Sequence, residues 1–133
     1  MTAQPLHLHR GDPLPALGVD GFDIADHAGK WLLIVVVDEL NDRLRDDVAT
    51  AVERFGRATD VRYVAAQTHA ADDVIADPDG VATRRLGALV DEDARFTIAV
   101  VVEPGGRVQA SCDDTKAALA VSMALEAAVH RRR

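Results

Sequence analysis

The sequence predicts a single α/β domain whose central mixed β-sheet is covered by helices on both faces. Three observations carry that expectation: an aperiodic, β-branched run from Trp31 to Val37, an amphipathic stretch from Leu40 to Phe55, and a Glu103-Pro104-Gly105-Gly106 turn between two strand-like segments. The chain has 133 residues, 48% apolar and 28% charged, which is enough for one sizeable core and too little for two domains. We take residues 1–133 as one unit, with no internal repeat and no low-complexity linker.

Each element follows from local chemistry. Met1–Asp20 carries prolines at 5, 13 and 15 and glycines at 11 and 18, so it reads as an extended, turn-rich lead-in in which only Leu6–His9 suits a short strand. Phe22 and Ile24 alternate with Asp23 and Asp26 before a break at Ala28-Gly29-Lys30. Trp31–Val37 has no period and reads as a fully buried central strand. Leu40, Leu44, Val48, Ala51, Val52 and Phe55 then recur at helical spacing up to Gly56, with Asp38, Asn41 and Asp42 as candidate caps.

A second strand is expected at Val61–Ala66, followed by polar Gln67-Thr68-His69 and a loop or short helix. Asp77-Pro78-Asp79-Gly80 is a turn, and Val81–Leu86 a two-turn helix closed by Gly87. Phe96–Val102 is the third buried strand, and Arg107–Ser111 returns antiparallel to it through the tight turn. Asp113-Asp114-Thr115 then caps a long helix, 114–130, with Ala117, Ala120, Val121, Ala124, Leu125, Ala128 and Val129 on one stripe. Leu119 and Met123 flank that stripe, so the helix reads as an ordinary core helix or, alternatively, as one whose apolar surface extends beyond what one sheet face covers and suits an oligomer interface.

Charge and cysteine content narrow the function. With 22 acidic and 15 basic residues the net charge is -7, which disfavours binding to nucleic acid or an anionic membrane surface. Trp31–Val37 is far short of a membrane span, and no leader-like segment opens the chain, so a soluble, cytoplasmic protein is expected. The single Cys112 excludes an internal disulfide, a paired-thiol redox motif and a multi-thiolate metal site. Placed at the start of the last helix, its thiol is open to pKa lowering, but Asp113 and Asp114 beside it oppose a thiolate. His7, His9 and Asp12 have the spacing of a metal trio or, equally, of an exposed alternating segment. His27 reads as a surface turn residue, and His130 with Arg131–Arg133 as a solvated helix end.

The order of elements resembles the thioredoxin fold, and the wording resembles its peroxiredoxin (AhpC/TSA, redoxin) branch. The resemblance rests on Gly11-Asp12-Pro13-Leu14-Pro15-Ala16-Leu17, on Ile24 through Trp31 before the apolar strand, on Asp77-Pro78-Asp79-Gly80-Val81-Ala82 through Leu86-Gly87, and on the Val101–Val108 hairpin. It implies a peroxidatic cysteine in a loop with Pro and Thr after the central strand, where this chain has Asp38-Glu39-Leu40-Asn41-Asp42. The family's supporting arginine falls on Thr97, two residues from Arg95, and no proline lies between Pro78 and Pro104 to supply a thioredoxin-type cis-proline. A second resemblance is to the carboxy-terminal domains of flavin-dependent aromatic hydroxylases, thioredoxin-like domains without active cysteines, through Glu103–Val108 and the acidic residues before the last helix.

In such a sheet the ends of the strands at 31–37, 61–66 and 96–102 meet at one edge, which brings Asp38, Glu39, Asn41, Thr68, His69, Arg95 and Thr97 toward one cleft. Asp38, Glu39, His69 and Arg95 are the candidate acid–base set, with Asn41, Thr68 and Thr97 lining the cleft. The expected function is a redox-inactive binding or assembly module, a homo-oligomer or the partner of a larger protein. Two alternatives stand beside it: a cysteine-independent enzyme acting on a small metabolite in that cleft, and a peroxidase that uses Cys112. No cofactor or resident metal is expected.

Overall fold

The computed structural model describes residues 10–14, 16–19, 22–37, 40–65, 73–86, 97–114 and 116–129. A short 3-10 helix at Ile24–His27 precedes β1, Trp31–Val37. Then come α1 (Asp42–Phe55), β2 (Thr59–Ala65), β3 (Val74–Ala76), α2 (Val81–Arg85), β4 (Thr97–Val102), β5 (Val108–Asp114) and α3 (Ala117–Val129). The five strands form one sheet in the order β3-β2-β1-β4-β5, mixed as expected. β1 runs parallel to β2 and antiparallel to β4, and β2 runs parallel to β3.

β1 is central because its sequence leaves it no other place. Six of its seven residues are buried, and a strand covered on both faces is stable only between two hydrogen-bonded neighbours with packing above and below. Alternation sorts its side chains into two cores. Leu33, Val35 and Val37 point into the core under α1 and α3, while Leu32, Ile34 and Val36 point into one closed by α2 and by Leu14 and Leu17 of the lead-in. At the start of β1, Trp31 meets Phe55 edge to face at 5.3 Å between centroids, and the Arg57 guanidinium lies 5.2 Å from the Trp31 ring and 4.9 Å from that of Phe55.

Helix ends follow the capping rules. Asn41 is the N-cap of α1, its side-chain oxygen accepting from the Leu44 N–H at 2.8 Å. Gly56 ends the helix with φ 76°, a left-handed conformation that glycine adopts without a Cβ penalty. The lead-in is tied to the sheet: Gly11 N–H donates to Val108 O at 2.8 Å, Val108 N–H to Asp12 O at 2.7 Å, and Pro13 bridges Arg107.

Several expectations are corrected. β5 runs on to Asp114 instead of ending at Ser111, so Cys112 is a strand residue opposite Ala99, and Asp113 and Asp114 belong to the ladder rather than to a helix cap. The long strand wins because it keeps pairing with β4 as far as Asp114 opposite Thr97. α3 accordingly starts at Ala117, and Val129, placed on the buried stripe, is 44% exposed. The segment expected to be a loop or short helix contributes β3, whose three residues pair with Tyr63, Val64 and Ala65. The proposed strand at Leu6–His9, residues Gly87, Phe96 and Thr115, and the end at His130–Arg133 lie outside the described residues.

Because β1 is buried on both faces, truncating it is expected to be costly. Leu33→Ala should lower unfolding free energy by about 2–5 kcal/mol in a denaturant titration.

Candidate functional site

Val37 lies beside Ala65, and Val36 beside Ile98, so the carboxyl ends of β1 and β2 and the amino end of β4 do meet at one edge. Of the residues expected there, Asn41 and Thr97 are described. Asn41 commits its side-chain oxygen to the α1 cap, and Thr97 is half-buried opposite Asp114. Asp38, Glu39, Thr68, His69 and Arg95 lie outside the described residues.

A carboxylate not singled out from the sequence does occupy this edge. Asp77 follows β3, its N–H donates to Ala65 O at 2.9 Å, and it is 1% exposed. Its Oδ1 accepts from Ala82 N–H at 3.1 Å, and its Oδ2 from Thr83 N–H at 2.9 Å and from the Thr83 hydroxyl at 2.6 Å. Its oxygens are used in anchoring α2 to the sheet, so it is a structural acceptor. The donors are five and six residues away, beyond the usual cap spacing, which is why the sequence shows a turn there and not a cap.

Cys112 is half-buried in β5 and packs against the core under α3. It does not sit at the start of a helix, so the reading of a thiol activated by a helix N-terminus loses its geometric basis. Of the metal trio read from the sequence, His7 and His9 lie outside the described residues, and the Asp12 carbonyl accepts from the Val108 N–H. Among the described residues no cluster of metal-binding side chains is found.

The largest departure is His27. It is 9% exposed rather than a surface residue, its Nδ1 lies 2.8 Å from Asp60 Oδ2, and its ring stacks on Phe22 at 5.7 Å and 22°. Asp60 is 33 residues away and reaches His27 through the β1–β2 register, which sets it opposite Leu32. Alternation of Phe22 and Ile24 hinted at a buried segment, but the partner of the histidine depends on strand register.

α3 is the other feature with functional content. Leu119, Met123 and Val129 are 47%, 42% and 44% exposed, and with Ser122 and Glu126 they make up its outer face. A groove of about 270 Å³ runs between α1 and α3, lined by Ala51, Arg54, Phe55, Ser122, Leu125, Glu126 and Val129. No helix among the described residues is long and apolar enough to cross a membrane.

No protein-family model matches the chain, and no curated protein matches it in sequence. Solved structures do. A cysteine-to-serine mutant of PrxQ from Xylella fastidiosa superposes with a TM-score of 0.66 at 12% identity, over 91% of this chain and 95% of that one. The bacterioferritin comigratory protein of Xanthomonas campestris gives 0.65 at 17% identity, over 91% and 98%. A thiol peroxidase from Chromobacterium violaceum gives 0.65 at 11%, over 86% and 82%. These likenesses show a thioredoxin-like fold, shared with solved peroxiredoxin structures.

On the α1 side of the sheet, burial of the Tyr63 phenol raises its pKa above the usual 10.0, against the opposing pull of the Arg45 guanidinium and with a smaller push from Asp73. A phenol whose folded pKa lies above its unfolded value keeps its stabilising contribution below about pH 10 and loses it as pH rises through the folded pKa. Tyr63 is the single tyrosine of the chain. Its phenolate absorbance should therefore appear later in the native than in the denatured protein, and Tyr63→Phe should flatten the alkaline fall in stability.

Proposed function

We propose that the protein is a redox-inactive assembly module of thioredoxin-like fold that pairs with a second copy of itself through the outer face of α3. The observation that carries this reading is the exposure of Leu119, Met123 and Val129 on one helix face. α3 is apolar on nearly every side, with Ser122 and Glu126 as its polar residues, and a helix of that kind is ordinarily covered all round. The sheet covers the side of Ala120, Val121, Ala124 and Leu125; the opposite side awaits a partner.

Charge favours a second copy as that partner. The adjoining groove carries one cation, Arg54, and one anion, Glu126, so two grooves related by a two-fold axis are complementary in sign. Thiol chemistry has a weaker claim. The structural neighbours are named for thiol peroxidase and alkyl peroxide reduction, whereas this chain reads Asp38-Glu39-Leu40-Asn41-Asp42 after β1 and holds its one cysteine in β5.

Sedimentation equilibrium tests the proposal. The native chain should be a dimer at micromolar concentration, and Leu119→Asp with Met123→Asp should weaken association by at least roughly tenfold while leaving the circular dichroism spectrum unchanged. Because each copy carries a net charge of -7, added salt should tighten the dimer. A monomer at all accessible concentrations, or a dimer indifferent to both substitutions, would contradict the proposal.

A further inference from the structure

The chain has two methionines, Met1 and Met123. Met123 stands on the outer face of α3, 42% exposed, between Leu119 and Val129 along the helix. Residues three and four apart are neighbours on a helix surface, so Leu119 lies one turn before it and Glu126 just after it. A thioether is apolar enough to pack in an interface, and it is the side chain of that face that a peroxide can oxidise. The sulfur of Cys112, by contrast, is half-buried in β5 and packs against the core under α3.

Oxidation changes what this position can do. The sulfoxide carries a strongly polar oxygen that accepts hydrogen bonds, and water satisfies it as long as the face is open. Its helix neighbours do not replace that water, because Leu119 has no polar side-chain atom and the Glu126 carboxylate only accepts. Covering the face would therefore strand the new oxygen. A two-fold pairing uses the same face twice, so each dimer would bury two of them.

We propose that Met123 makes the assembly of this protein sensitive to peroxide: oxidised to the sulfoxide, it holds the chain in the monomeric state. The inference rests on the α3 pairing proposed above and names its regulation. In the step itself the Met123 sulfur attacks one oxygen of hydrogen peroxide, the S–O bond forms as the O–O bond breaks, and the proton of the transferred oxygen passes to the departing hydroxide. Sulfur is oxidised by two electrons and the peroxide is reduced to water, one oxygen atom per protomer and without turnover. The free protomer is the species that reacts, since pairing covers the thioether, so oxidation slows as concentration favours the dimer. Methionine sulfoxide reductases, one for each sulfoxide epimer, return the thioether and with it the competence to pair.

Sedimentation equilibrium of the full chain before and after hydrogen peroxide tests the inference, with the sulfoxide located by mass spectrometry of peptides. The native chain should lose at least roughly tenfold in dimer affinity in proportion to sulfoxide at Met123 and should recover it after treatment with both reductases. Cys112→Ser should respond as the native chain does, which separates the thioether from the thiol. For Met123→Leu the affinities before and after peroxide are compared with each other, and the two should agree. A dimer that survives complete oxidation of Met123, a loss that the reductases do not reverse, a response abolished by Cys112→Ser, or an equal response in Met123→Leu would overturn the inference and leave the α3 pairing standing. A chain that is monomeric before any peroxide is added would overturn the pairing and this inference with it.

Discussion

Everything in this molecule depends on β1 being hydrogen-bonded on both sides at once. Its backbone is satisfied by β2 in parallel and β4 in antiparallel register, and its alternating side chains found the two cores. That arrangement fixes which residues can meet. It sends the carboxyl ends of β1, β2 and β3 to one edge with the start of β4, and it leaves the start of β1, the end of β4 and the Glu103–Gly106 turn at the other.

The two ends of the sheet have different chemistry. At the first, Asn41 and Asp77 spend their oxygens on helix ends, so polar groups that a sequence reading offers to a ligand are consumed by the fold. At the second, His27 and Asp60 form a contact that the fold does not need for capping or for a turn, and one ring nitrogen is left over. The α3 face adds a third kind of surplus, apolar area instead of polar valence. At α3 the functional reading follows from asking which groups the fold has already satisfied.

How much was legible in the sequence depended on whether the signal was local. β1 and α1 came out with nearly their observed bounds because an unbroken Val-rich run and a Leu44–Val48–Phe55 periodicity are properties of neighbouring residues. The Glu103–Gly106 turn did so for the same reason, since a Pro-Gly-Gly turn constrains the backbone locally. Cys112 was misplaced because Cys112-Asp113-Asp114 reads as a polar helix entrance, and only pairing with β4 makes it strand. β3 was missed because three residues carry too little pattern, and His27 because its partner lies across a strand register. Of the candidate site, topology determines only which strand ends adjoin, Val37 beside Ala65 and Val36 beside Ile98.

The central claim is the proposal that this thioredoxin-like sheet serves without thiol chemistry. Peroxide consumption with a dithiol reductant, measured for the native chain and for Cys112→Ser, tests it most directly. The account predicts no turnover above the uncatalysed rate in either protein, because the single thiol lies in β5, packed beneath α3. Turnover in the native chain that disappears in Cys112→Ser would contradict it, and would make the strand cysteine a peroxidatic nucleophile in a new position.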